Sequence, residues 1–157
     1  MSQAQISNLR GAAGASRTRL RFRSYGASLG LAATTPAELI RKLEHGFSFH
    51  TLQNLSSHSG LTVARLASLL GIPERTLARR KTSGKLTLDE SERLLRLSAI
   101  FEKAVELFEG DVAAAVNWLT SPRKALNDHA PLEYSRTELG AREVESLIGR
   151  LEHGVFA

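Results

Sequence analysis

From residue 35 onward, apolar residues recur at steps of three and four and almost nowhere alternate with polar ones. That is the helical period, whereas alternation would mark half-buried strands. The first segment carries Leu39, Ile40 and Leu43 and stops at Gly46. It starts with Thr35, Pro36 and Glu38, the residue types of a capping box with proline in the first turn. A second apolar segment, Phe47 to Leu55, also reads as a helix and ends in Ser56 to Gly60. Thr87 and Glu90 repeat the capping-box spacing and open the longest stripe, Leu94, Leu97, Phe101, Ala104, Val105 and Phe108, closed by Gly110. Asp111 is placed to cap a helix with Val112, Ala115, Val116 and Leu119, which must stop before Pro122; Trp118 beside them is expected in the core. Residues 121–137, interrupted by Pro122, Asn127 and Pro131, read as loop. A last helix from about Glu138 carries Val144, Leu147, Ile148 and Leu151, and Gly154 stops it. The expectation is an all-α chain.

Between Thr62 and Lys81 the same periodicity takes a more specific form. Val63, Leu66, Ala67 and Leu70 make one buried stripe. Ala67 is small enough for a second helix to cross closely, and Gly71 four residues on permits a turn with φ > 0. Pro73 forces Ile72 extended and suits the first turn of the next helix, which keeps Leu77 for the core. This is helix–turn–helix spacing, and Gly84 closes it. On the second helix Arg75, Thr76, Arg79 and Arg80 share a face, with Lys81 at its end. Guanidinium forks and a hydroxyl on one face suit phosphates and guanine edges in a major groove. The plainer alternative is a solvated basic face. One position departs from the usual pattern: three residues after Leu77, where an apolar residue is normal, stands Arg80. Either Arg80 buries its stem over the core or the second helix is short.

Charge sharpens the division of the chain. Residues 1–37 hold Arg10, Arg17, Arg19, Arg21 and Arg23 and no acid. Residues 65–85 hold six lysines or arginines against Glu74, while residues 86–157 hold thirteen acids against eight bases. The first half suits a polyanion and the second does not. Residues 1–34, rich in Ala, Ser, Gly and Arg, read as a basic flexible arm. Their acid-free, Arg- and Ser-rich composition also resembles a transit peptide, but Gly11, Gly14, Gly26 and Gly30 interrupt an amphipathic helix. The organisation expected is an arm (1–34), a helical domain with the helix–turn–helix (35–86) and a C-terminal helical domain (87–157).

Other chemistries find little support. There are no cysteines, so disulfides and thiolate chemistry are excluded, and a reducing cytoplasm is compatible. His45, His50, His58, His129 and His153 lack the spacing of a zinc helix, and no apolar run is long enough to span a membrane. No phosphate-cradling glycine loop or nucleophile elbow occurs. Neither enzyme, cofactor nor metal is expected.

From Leu61 to Ala157 the chain resembles the antitoxins of the Xre/MbcA/ParS group. The resemblance rests on LTVARLASLLGIPERTLARRKTSGKLTLDESERLLRL, AVELFEGDVAAAVNWLTSP, KALNDHAPLEY and RTELGAREVESLIGRLEHGVFA. It departs at Tyr134 and Ser135, where relatives often carry two leucines. Such antitoxins are all-helical, pair a DNA-binding region with a C-terminal toxin-binding domain, and dimerise. The partner implied is a RES-domain toxin that consumes NAD⁺. In the family the antitoxin's C-terminal end blocks the toxin's cleft, and the complex represses its own promoter.

On these grounds Arg75, Thr76 and Arg79 are expected to face operator DNA, and Arg80, Lys81 and Lys85 the phosphates. Arg142, Leu151, His153, Gly154, Val155, Phe156 and Ala157 are expected at the toxin-facing end. After Gly154 the helix cannot easily continue, so Val155, Phe156 and the terminal carboxylate would form a short plug. The alternative is that Phe156 folds back onto Leu151. The function expected is that of a cytoplasmic, homodimeric type II antitoxin; the alternative is a stand-alone helix–turn–helix regulator without a toxin.

Overall fold

A computed structural model describes Phe22, residues 25–31 and residues 35–154. Every regular element among them is helical, as the periodicity predicts, and the only extended pairings are isolated bridges at Ser48–Lys85 and Arg123–His129. The described residues form two units, one ending at Ala99 and the other beginning at Ile100. That division falls inside a helix, whereas the sequence suggested one near residue 87.

In the first unit, α1 (Pro36–His45), α2 (Phe49–Ser59), α3 (Val63–Leu69) and α4 (Glu74–Ser83) lead into α5 (Leu88–Leu107), whose residues up to Ala99 belong here. The caps act as their residue types dictate. Thr35 and Glu38 bond reciprocally at the start of α1, Thr62 accepts from Arg65 N on α3, and Gly60 and Gly84 end α2 and α4 in the left-handed conformation. Pro73 is the N-cap of α4 rather than its first helical residue. The core gathers Leu29, Phe47, Leu52, Leu55, Leu66, Ala67, Leu70, Ile72, Leu86 and Leu94.

Leu29 belongs to the arm expected over residues 1–34, and its burial corrects that expectation for residues 25–31. Here Ala27–Leu29 form a 3-10 turn between Gly26 and Gly30, both at positive φ, with Ser28 and Leu29 buried. Asn54 on α2 donates its Nδ2 to the Leu29 carbonyl at 2.8 Å. The glycines that suggested disorder are those that let the turn close. Arg10, Arg17, Arg19, Arg21 and Arg23 lie outside the described residues.

The second unit contains the rest of α5, then α6 (Val112–Leu119), α7 (Pro131–Tyr134) and α8 (Glu138–Glu152). Asp111 caps α6 by accepting from Ala114 N, as expected, and Thr137 caps α8 by accepting from Gly140 N. Phe101, Ala104, Phe108, Trp118, Leu119, Leu126, Leu132, Val144, Ile148 and Leu151 fill the core, with Trp118 fully buried as expected. Phe108 and Trp118 meet at a centroid distance of 6.4 Å. Arg123 covers the indole at 5.4 Å and donates to the Trp118 carbonyl, satisfying the end of α6. Residues 121–137 are more ordered than a loop reading implies, with a 3-10 turn at Lys124–Leu126 and the short α7.

One glycine fixes the corner between α1 and α2. Gly46 has φ of +81°, and a Cβ there would lie 2.2 Å from the Leu86 carbonyl oxygen. Gly60 has φ of +78° but open space around it. Gly46→Ala should therefore destabilise the first unit by about 3 kcal/mol or more, because backbone strain and a backbone clash add. Gly60→Ala should cost only about 1–2 kcal/mol, from strain alone. Native-state hydrogen exchange of the α2 amides measures the difference, since the single tryptophan reports on the other unit. Equal losses for both variants would contradict the clash.

Candidate functional site

The second helix of the helix–turn–helix, α4, buries none of its ten residues completely. Leu77, expected in the core, is only half-buried. A ten-residue helix is marginal in water by itself, so other contacts must hold α4 in place. Arg80 supplies one. Its Nε donates to Glu90 Oε1 at 2.7 Å, with the side chains 25% and 9% exposed. The same Glu90 oxygen accepts from Thr87 N at 2.9 Å, while Thr87 Oγ1 accepts from Glu90 N, which completes the capping box of α5. The residue at the normally apolar position is thus an anchor. The helix is not short, and Arg80, half-buried, is held by Glu90.

Two neighbours of Glu90 hold adjoining elements. The Ser91 hydroxyl accepts from Phe47 N at 2.8 Å and donates to the Thr87 carbonyl at 2.6 Å. Arg93 Nη1 donates to the Leu70 carbonyl at 3.0 Å, capping the end of α3 at the turn. Beyond α4, Phe49 N donates to the Gly84 carbonyl at 2.8 Å and Leu86 N to the Phe47 carbonyl at 2.9 Å. The positive φ expected at Gly71 is present, at +71°.

This anchoring leaves Arg75, Arg79, Lys81 and Lys85 exposed, with Thr76 half-buried. Arg79 Nη2 donates to Thr76 Oγ1 at 3.3 Å, so these two expected readers share one face. Arg80, expected with Lys81 and Lys85 at the phosphates, differs from them in having its Nε engaged by Glu90. The role of Glu90 was missed from sequence, where it read only as a capping residue. The signal available was an arginine at an apolar position, which needs a buried acid within reach.

The second unit brings together fewer of its expected residues. Arg142 pairs with Glu138 one turn back at 2.7 Å, and both are exposed. His153 is the exposed C-cap of α8, and Gly154 has φ of +70°. Leu151, expected to face a partner, is 2% exposed and packs in the core, since it continues the Val144–Ile148 stripe. Val155, Phe156 and Ala157 lie outside the described residues. Among the described residues no three His, Asp or Glu side chains group to hold a metal, and no helix is long and apolar enough to cross a membrane.

The described residues thus form a helix–turn–helix unit with an exposed cationic second helix and an acidic helical unit, two parts of different surface chemistry. Two family models match these parts in turn. The antitoxin Xre-like helix-turn-helix domain covers residues 38–98, and the antitoxin Xre/MbcA/ParS C-terminal toxin-binding domain covers residues 103–154. A protein named antitoxin Xre from Yersinia enterocolitica is 38% identical over 144 residues, spanning 91% of this chain and 95% of the relative. Antitoxin Xre of Photorhabdus laumondii is 38% identical over 68% of this chain and 70% of its own, and that of Pseudomonas putida 30% identical over 74% and 72%. The chain belongs to the Xre/MbcA/ParS group of antitoxins.

The anchor has a pH signature. Burial pushes the Glu90 carboxyl up, but the Arg80 hydrogen bond, the Thr87 bonds and the Arg80 charge together outweigh it and hold Glu90 below the usual glutamate range. A carboxyl with a lowered folded pKa stabilises the fold above its unfolded pKa, and that contribution disappears as pH falls through the folded value. Urea unfolding followed on α4 resonances from pH 7 to pH 3 should therefore show a loss in the acid range that Glu90→Gln removes. Parallel curves for the two proteins would dismiss the anchor as a source of stability.

Proposed function

We propose that this chain, a type II antitoxin by family, neutralises a RES-domain toxin that consumes NAD⁺, and represses its own operon through the helix–turn–helix as a cytoplasmic homodimer. The observation that carries the DNA half is the α4 face of exposed Arg75 and Arg79 with half-buried Thr76 between them, continued by Lys81 and Lys85. Helix–turn–helix dimers set such a helix in the major groove, with positions near its N-terminus on base edges and further cations on phosphates. Arg75, Thr76 and Arg79 are assigned to the bases, and Lys81 and Lys85 to the phosphates. Arg80 becomes the residue that positions them. The toxin half rests on the C-terminal domain match over residues 103–154. The end of the chain, from His153 through Gly154, Val155, Phe156 and Ala157, would enter the toxin's cleft, with Arg142 a lesser contact. Phe156 offers an apolar anchor, and the terminal carboxylate a partner for cationic groups in a pocket that holds phosphates.

The alternative, a regulator without a toxin, is separated by co-expressing the adjacent gene product and reading cellular NAD⁺. Collapse without this chain and recovery with it supports the antitoxin reading. Deleting Val155–Ala157 should abolish that recovery while leaving the helices intact, and full protection by the shortened chain would remove the plug.

On the DNA side, Arg79→Ala should cost about 1–3 kcal/mol of operator affinity if it reads a base. Lys81→Ala should weaken all sequences alike and lower the salt slope by about 1, as loss of a phosphate contact does. Arg80→Ala should weaken binding with the slope unchanged. A titration in which Arg80→Ala lowers the slope as Lys81→Ala does would return Arg80 to the phosphates.

A further inference from the structure

Thr137 begins α8 in close contact with the end of α7. Gly140 is buried there, and a Cβ on it would lie 1.8 Å from the Tyr134 carbonyl oxygen. The two backbones therefore meet at a distance that only glycine allows. This contact fixes the first turn of α8, and from that turn Leu139 projects away from the core stripe. It is 72% exposed, although Ala141, Val144, Leu147, Ile148 and Leu151 of the same helix are buried. Glu143 stands one turn along from Leu139 on the same face. Together with His129, Glu133, Tyr134 and Gly140 these residues line an open depression of about 520 Å³. The His129 and Tyr134 rings lie 5.8 Å apart along it. No lysine or arginine lines it, and two carboxylates do.

We propose that this depression is a docking surface for the toxin, separate from the C-terminal end of the chain. The proposal rests on the antitoxin reading above and names where on the C-terminal domain the partner sits. Its occupant is a segment of the toxin carrying an apolar side chain flanked by lysine or arginine. The apolar side chain packs on Leu139 and Tyr134, and the cations face Glu133 and Glu143. Every lining residue falls within the toxin-binding domain match, residues 103–154. Charge argues against a second copy of this chain. A two-fold contact brings the same patch of each copy together, which here would set Glu133 and Glu143 among their own counterparts. A cationic partner meets the opposite situation. The surface is also pre-organised, because the Gly140–Tyr134 contact holds it before binding.

Two variants test it, measured as affinity of the full chain for the adjacent RES-domain protein with its active site inactivated. Leu139→Ala suits a helix and removes only exposed surface, so the fold should survive, as circular dichroism would show. It should weaken binding at least tenfold. Glu143→Lys should slow association and reverse part of its salt dependence, as a charge at the edge of an interface does. Wild-type affinity in both variants would overturn the docking surface and leave the antitoxin reading intact. Sedimentation that shifts from dimer to monomer with toxin affinity unchanged would assign the patch to a second copy and overturn it as well. Failure of the unmodified chain to bind the toxin would overturn both proposals.

Discussion

A helix that must present its cations outward has few apolar contacts left to hold it. α4 faces that constraint, with no fully buried residue among its ten. The rest of the N-terminal unit is arranged around its solution, which lies in the first two turns of α5. Glu90 takes Arg80 of α4, Ser91 takes the Phe47 amide at the α1–α2 corner, and Arg93 takes the Leu70 carbonyl at the end of α3. One stretch of helix thus sets the positions of three others through polar contacts. Such contacts fix geometry better than apolar ones because hydrogen bonds are directional, and the Arg80–Glu90 bond, between charged groups, is the strongest kind. Losing the partner of a buried carboxylate costs on the order of 1–3 kcal/mol, enough to loosen a helix with so little else holding it. The Thr87 bonds prevent Glu90 from turning elsewhere, so the capping box doubles as the support for the anchor.

Most of the fold was legible because its signals are local. Thr35, Thr87 and Asp111 cap helices where their side chains can reach amides three residues on, and the 3.6-residue stripes name the core. What was not legible depends on residues far apart. Leu29 is buried because Asn54, twenty-five residues on, holds its carbonyl and α2 covers it, and composition around Gly26 and Gly30 points the other way. Arg80 stood out as an oddity, but its partner ten residues away already had a sufficient local role. Leu151 shows the reverse error. It was grouped with the chain's end by proximity in sequence, although its own helical spacing placed it inside.

The acid–base division of the chain is consistent with two binding surfaces that do not compete for each other's ligands. The exposed cations of α4 sit in a unit where Glu90 is engaged by Arg80, so they present a positive face to a polyanion. In the second unit three of the six cations among the described residues have partners: Lys103 pairs with Glu145, Arg142 with Glu138, and Arg123 lies over Trp118 with burial lowering its pKa. The depression beside Leu139 is lined by Glu133 and Glu143 and by no lysine or arginine, a charge that would favour a cationic protein over DNA if it is the docking surface proposed above. A single polypeptide can in this way hold a nucleic acid and a protein partner by chemistry alone, without an enzyme's precision at either site. The ion pairs Arg80–Glu90, Lys103–Glu145 and Arg142–Glu138 each lie within one unit, so the charge of each surface is set by its own unit's folding.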